Sequence, residues 1–360
     1  MSIDADRLEN IRMIRDSAQA IAKRGDVRRA RDWRDRSPGF DRAVWRKMGD
    51  LGWIGLRVDE ADGGSGLGML EFCALVEELG ATLTPEPLIA AAAAVRLLGR
   101  HAGSDRLSGD RIVLLAWQER AGSLDAVGET KFADGRLFGC KRFVPAADGA
   151  DEFLVTTESG LVLVPRGAAG LTVEWSPAQD GGHLATLRFD GVQGQLLPGD
   201  AGRVLDEAAL ATAAYLLGVI EGALALTVDY LKTRRQFDVP IGSFQALQHR
   251  AVDLMLQAAL TRASVESAAA CLDGGAVGAE AQAAVSRAKA RASDAAMLVT
   301  RQAIQLHGGI GYTDECDVGL YLRKAMVLAP SHGGAALHRR RYAAFQTPVD
   351  GVVDDMADGP

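Results

Sequence analysis

Three cations, Lys232, Arg234 and Arg235, close a long apolar stretch in the run Lys232-Thr-Arg-Arg-Gln-Phe-Asp-Val-Pro-Ile-Gly-Ser-Phe-Gln-Ala-Leu-Gln248. A helix ending there gathers positive charge, turns at Pro240 and Gly242, and restarts with Ser243 as its N-cap. Such a corner offers a planar guanidinium fork to a diphosphate or another anion. The blander reading makes Arg234 a helix C-terminal charge that complements the macrodipole. Further on, Gln305-Leu-His-Gly-Gly-Ile-Gly-Tyr312 ends a second long helix in Gly308, Gly309 and Gly311, where bare backbone lets a bulky ligand approach closely. One segment suits a diphosphate, the other a tight backbone cradle.

These segments need helices to hold them, and the pattern supplies helices at both ends of the chain. Residues 1 to about 109 carry helical spacing, as at Leu8, Ile11, Ile14, Ala18 and Ile21. The loop Asp62-Gly-Gly-Ser-Gly-Leu-Gly68 is a weak phosphate-loop signal: no strand leads into it and no Lys-Ser/Thr follows, so it reads as a plain helix connection. From 110 to 195 the texture changes to short β-prone runs, with Asp134-Gly135 as a hairpin signal. From 196 to 346 long helices return, their small residues suited to a four-helix bundle with oligomer contacts. The stretch 347–360 is acidic and glycine-containing, the composition of a disordered tail. The expected fold class is therefore α+β multidomain: N-terminal α-helical domain, middle β domain, C-terminal four-helix bundle.

Composition narrows the function further. The chain has 360 residues, 48% of them hydrophobic, and a net charge of -7, which disfavours a general nucleic-acid surface. Its four cysteines lie far apart without a C-x-x-C pair, so they read as reduced core thiols and no metal site is expected. No signal-peptide run opens the sequence, and the apolar run Ala208 to Ile220 is too short to span a bilayer, so membrane insertion is not expected and the cytoplasm is the default compartment.

The two opening segments resemble the flavin-binding signatures of the acyl-CoA dehydrogenase family, and the three-part order of the chain is similar to that family's fold. Leu51-Gly-Trp-Ile-Gly-Leu-Arg-Val-Asp-Glu-Ala-Asp-Gly-Gly-Ser-Gly-Leu-Gly68 and Val76-Glu-Glu-Leu-Gly80 look like its helical entry to a substrate cleft. The resemblance implies FAD as cofactor, an acyl-CoA substrate, a homo- or heterotetramer and an electron-transfer flavoprotein as acceptor. It assigns the flavin to Arg234, to Phe237 of the same motif, and to Gln245 eleven residues after Arg234, these serving a neighbouring subunit. To the same cofactor it assigns the run Gln305, Leu306, His307, Gly308, Gly309.

The β region departs from the family. Its usual Leu-Thr-Glu-Pro run is Ala116-Trp-Gln-Glu-Arg120 here, leaving Gln118 as the substitute flavin contact, and a second hydroxyl-bearing position is Pro145 in Lys141-Arg-Phe-Val-Pro145. The catalytic glutamate of a Tyr-Glu-Gly-Thr run falls, twenty-seven residues after Gln305, on His332 in Ser331-His-Gly-Gly334. A neutral imidazole can accept a proton, so His332 is one candidate base. Some branches carry the glutamate on an earlier helix, where Ala208 stands with Glu207 beside it. Glu207 is the second candidate, or simply a helix N-terminal acid. His249 and His307 read as packed helix residues, and His338, in His338-Arg-Arg-Arg341, as part of a solvated face or subunit contact. The resemblance thus implies an α,β-desaturating acyl-CoA dehydrogenase, similar to the shorter subunits that lack the usual glutamate, or a structural FAD-binding subunit whose partner supplies it.

Overall fold

The computed structural model describes residues 5–345, so the expected tail, 347–360, lies outside the described residues. Helices come first: α1 (Ala5–Ala18), α2 (Arg28–Trp33), α3 (Arg42–Asp50), α4 (Met69–Ala81), α5 (Leu88–Leu98) and the single turn α6 (Ser104–Leu107). Eight strands follow: β1 (Val113–Ala116), β2 (Lys131–Ala133), β3 (Arg136–Pro145), β4 (Glu152–Thr157), β5 (Gly160–Pro165), β6 (Leu171–Pro177), β7 (His183–Gln193) and β8 (Gln195–Leu197). The chain then returns to α7 (Gly202–Thr233), the small hairpin β9 (Arg235–Gln236) and β10 (Val239–Pro240), α8 (Gln245–Asp273), α9 (Gly278–His307), α10 (Val318–Leu328) and α11 (Ala335–Ala344). The C-terminal layer is thus three long helices completed by two short ones.

The strands form two four-stranded sheets, ordered β1-β4-β5-β8 and β2-β3-β7-β6. Within them β1 and β4 run parallel and the other pairs antiparallel. Asp134 and Gly135 turn β2 into β3 with φ of 50° and 75°, the left-handed pair that a two-residue hairpin turn requires.

One continuous core runs through all three layers, from Ala18 to Ala325. Helix α4 is buried along its whole length, which is why its apolar residues are not confined to one stripe. It crosses α7 backbone to backbone: a Cβ on Gly80 would stand 2.1 Å from the Tyr215 carbonyl oxygen, and one on Gly218 2.0 Å from that of Glu77. The glycine-rich loop leading into α4 is not a phosphate loop in this fold. The orphan amides of Met69 and Leu70 are taken by the carboxylate of Asp273, at 2.6 and 3.0 Å, from the end of α8.

Helix α7 is long and apolar enough to cross a membrane by length and composition, longer than the apolar run in the sequence suggests. Yet 72% of its most apolar window is buried inside the protein. Ser243 does not cap α8 as expected; its hydroxyl donates to the Pro240 carbonyl, and Phe244 holds the cap position without a side-chain bond. Of the four thiols only Cys73 is buried, the others being half-buried.

Candidate active-site cleft

A cleft of ≈ 880 Å³ opens where the three layers meet. Leu83, Leu88, Ile89, Ala93, Leu115 and Leu320 give it an apolar wall, and Thr84, Gln118, Thr212, Tyr215 and His332 set polar atoms into that wall. This combination of apolar walls and a few convergent polar groups is the usual build of a small-molecule site.

The carboxylates of the cleft are engaged or exposed. Glu86 is bound by the Arg29 guanidinium and by the Asp41 amide; burial raises its carboxyl, against the pull of Arg29. Asp180 meets Lys324 at 2.5 Å; burial alone would raise its carboxyl, but the ammonium holds it below its ordinary value. Asp35 is exposed.

Behind the end of β1, the fully buried Lys141 of β3 ties the strand ends together. Its ammonium donates to Glu119 at 2.7 Å and to the Trp117 carbonyl at 3.1 Å. Glu119 drops to about 2: burial works the other way, but Lys141 and bonds from residues 129 and 130 prevail. The pair fixes Trp117 and Gln118 in the cleft wall. The Gln118 amide nitrogen is already engaged with the Arg120 carbonyl at 2.9 Å, which limits the flavin role expected of it. Pro145 also lines the cleft.

His332 sits in the turn between α10 and α11 with a left-handed φ of 51°. Its ring lies 5.8 Å from that of Trp117, nearly parallel at 16°, and Nδ1 is 3.0 Å from the Thr212 hydroxyl. Burial first, then the neighbouring Lys289 ammonium, push its imidazole down to about 3. So low a basicity disfavours a general-base role near neutrality. Glu207 is the second candidate. It does not line the cleft but pairs with Arg57 at 3.1 Å and Arg203 at 3.4 Å. Thr212, one turn beyond Ala208, does reach the cleft, so Glu207, five residues before it, is turned about 140° away on the helix.

The remaining expected cofactor residues gather at the far end of the bundle. Tyr230 of α7 stacks on His307 of α9, 4.4 Å between ring centres, and this places the two C-terminal motifs side by side. His307 and Leu306 are buried, and the imidazole Nδ1 donates to the Ala303 carbonyl at 2.8 Å while Nε2 is buried without a partner. Gln305, Gly308, Gly309, Arg234, Phe237 and Gln245 are exposed. Phe237 is 86% exposed at the tip of the β9–β10 turn, in a left-handed backbone that costs a bulky residue. None of these residues lines the cleft, whereas Gln118 does. An exposed arginine, glutamine and aromatic ring beside bare glycine backbone could hold the anionic and flat parts of a cofactor shared with another subunit.

Two histidine expectations reverse. His249 is exposed, and His338, expected at the surface, is wholly buried: its Nε2 donates to the His332 carbonyl at 2.8 Å. Lys289 and Thr212 were missed altogether. A signal existed for the first: Ser286, Lys289 and Ser293 recur at helical spacing within an alanine-rich helix, a polar stripe on a face otherwise made for packing.

The family models for the acyl-CoA dehydrogenase N-terminal and C-terminal domains match residues 9–106 and 200–346. The acyl-CoA dehydrogenase IpdE2 of Mycobacterium tuberculosis is 33% identical over 337 residues, 91% of this chain and 93% of that one. The chain belongs to the acyl-CoA dehydrogenase family. Among solved structures, a steroid acyl-CoA dehydrogenase, Tcur3481-Tcur3483, superposes with a TM-score of 0.83 at 29% identity, covering 94% of this chain and 97% of that one. The ChsE4-ChsE5 complex from Mycobacterium tuberculosis gives 0.81 at 28%, with 95% and 97% covered. The second is a complex of two named chains, and the first carries two names.

Proposed function

We propose that this chain is an FAD-dependent acyl-CoA dehydrogenase subunit that works in a two-chain assembly, its partner supplying the carboxylate base. The observation that carries the reading is the cleft: apolar, large enough for an acyl thioester, and without an available carboxylate where the family's glutamate belongs. Asp180 is paired with Lys324, Glu86 is held by Arg29 on one oxygen with the other buried and unpartnered, Asp35 is exposed, Glu207 points elsewhere, and burial lowers the basicity of His332.

The residues at the far end of the bundle fit FAD. Arg234 and Gln245 are exposed, and a Cβ on Gly309 would meet nothing in this chain, so the glycine there has no reason inside the fold. In this reading Arg234 holds the diphosphate, Gln245 a polar edge, and the backbone at Gly308 and Gly309 the neighbouring part, with Phe237 packing against it. FAD held by these residues would supply the hydride acceptor for the β-carbon of the thioester. Lys141 and Glu119 hold Trp117 and Gln118 in the cleft wall, while Pro145 removes one hydrogen-bond donor that relatives offer.

The two-chain names of the structural neighbours favour a heteromer over a homotetramer, and an electron-transfer flavoprotein is the expected acceptor. The test is to purify the chain alone and with a glutamate-bearing homologue, then mix each with a panel of acyl-CoAs and follow bleaching of the flavin. We expect bleaching from the pair and a rate lower by roughly 10²- to 10⁴-fold from the single chain. Full bleaching by the single chain, abolished in Glu207→Gln, would make Glu207 the base and remove the need for a partner.

A further inference from the structure

Thr212 decides which nitrogen of His332 carries the proton. Its hydroxyl has one hydrogen, given to the Ala208 carbonyl one turn back at 2.8 Å, a bond that helical threonines commonly make. Toward His332 Nδ1 the same oxygen can then only accept, so Nδ1 bears the hydrogen and Nε2 the lone pair.

The main chain of the turn is clamped from behind. Lys289, wholly buried, spends its three donors on the Ser293 hydroxyl and the carbonyls of Ala329 and Gly333, each at 2.9 Å. His338 donates to the His332 carbonyl at 2.8 Å and is itself held by Ser286 at 3.2 Å. Such a clamp can maintain the left-handed backbone at position 332, which a non-glycine residue does not choose unaided. With the carbonyl, Nδ1 and one ring face engaged, Nε2 is the polar atom that His332 has left to offer, and His332 lines the cleft.

We propose that His332 is a substrate contact: its Nε2 accepts a hydrogen bond from a neutral O–H or N–H donor on the bound acyl thioester, either a hydroxyl on the acyl chain or an amide of the pantetheine arm. The proposal rests on the acyl-CoA reading of the cleft. The environment that disqualifies this imidazole as a base suits it as an acceptor, because a ring that stays neutral and keeps one tautomer offers the same lone pair throughout the physiological range.

Calorimetric titration of the purified assembly with octanoyl-CoA and 3-hydroxyoctanoyl-CoA tests it. His332→Phe keeps a ring to stack on Trp117 but removes the acceptor, and should weaken binding on the order of tenfold, the cost of leaving a buried donor unsatisfied. His332→Asn keeps an amide acceptor and tolerates the left-handed backbone, and should recover part of the loss. A loss confined to the hydroxylated ester assigns the acyl hydroxyl; an equal loss for both assigns the pantetheine amide. Unchanged affinity in His332→Phe overturns the contact alone. If the parent binds neither ester, the acyl-CoA reading falls and the contact with it. Nitrogen-15 spectra of the histidine rings check the chemistry without any ligand: a protonated Nε2 at His332 would overturn the assignment.

Discussion

At position 332 the chain has exchanged a carboxylate for an imidazole, and what the imidazole does is set by its neighbours. His332 falls to about 3 and His338 to about 4, in both cases chiefly through burial. The unfolded chain protonates both rings near pH 6.5, whereas the folded chain holds them neutral down to those values, so across that window the unfolded state binds more protons. The stability these two rings contribute is therefore fully present above about pH 6.5 and is lost as the pH falls toward 4 and 3. Scanning calorimetry should show Tm falling over that range and a shallower slope in the double variant His332→Asn/His338→Gln. Equal slopes in parent and variant would assign the acid sensitivity to carboxylates instead. The sequence exposes little of this. Histidine identity is visible, but Lys289 and Thr212 act across more than 40 residues of chain, and no local spacing announces which distant side chain will lie beside a ring.

At the scale of elements, glycines at two kinds of position separate structural need from ligand need. Gly218 exists for the α4–α7 crossing, because any Cβ there meets the Glu77 carbonyl at 2.0 Å. Gly309 meets nothing, and its backbone is one that alanine can adopt. We expect Gly218→Ala to cost about 1–3 kcal/mol by forcing two packed helices apart, measurable as a lower midpoint in urea. Gly309→Ala should leave the unfolding free energy within about 0.5 kcal/mol of the parent while lowering the flavin retained after desalting. Flavin content equal to that of the parent would remove Gly309 from the cofactor site. Patterning revealed the elements well because apolar periodicity is local: the β-prone runs became β1, β2 and β4 to β7, and the long helices appeared where expected. It missed β3, whose Gly139, bulge and terminal Pro145 break the alternation, and the three-residue β8, and it missed the ion pairs that Glu207 makes with Arg57 and Arg203.

The cleft and the exposed segment around Arg234 lie on different parts of the surface, and this separation argues for an assembly. A chain that used Arg234, Phe237 and Gln245 on its own cleft would bring them to the cleft wall, and none of them is there. Phe237 at 86% exposure and Tyr312 at 81% are aromatic rings left in water beside the motif, a state that a neighbouring subunit and its cofactor would relieve. On α8, Val252, Met255, Leu256 and Leu260 recur at helical spacing and are each more than half exposed, so one face of that helix lacks the cover that a core helix receives. Such a face and such a motif are reconciled by the same arrangement, in which α8 packs on another chain and the end of the bundle reaches that chain's cofactor. Light scattering behind size exclusion should therefore give a multiple of 38.1 kDa at micromolar concentration, or a co-purifying complex when the glutamate-bearing chain is expressed alongside. Charge on the stripe, as in Met255→Glu/Leu260→Glu, should shift the mass toward one chain and release flavin together with it. A monomer that retains its flavin would break the link between assembly and cofactor, because the motif would then be serving a ligand within its own chain.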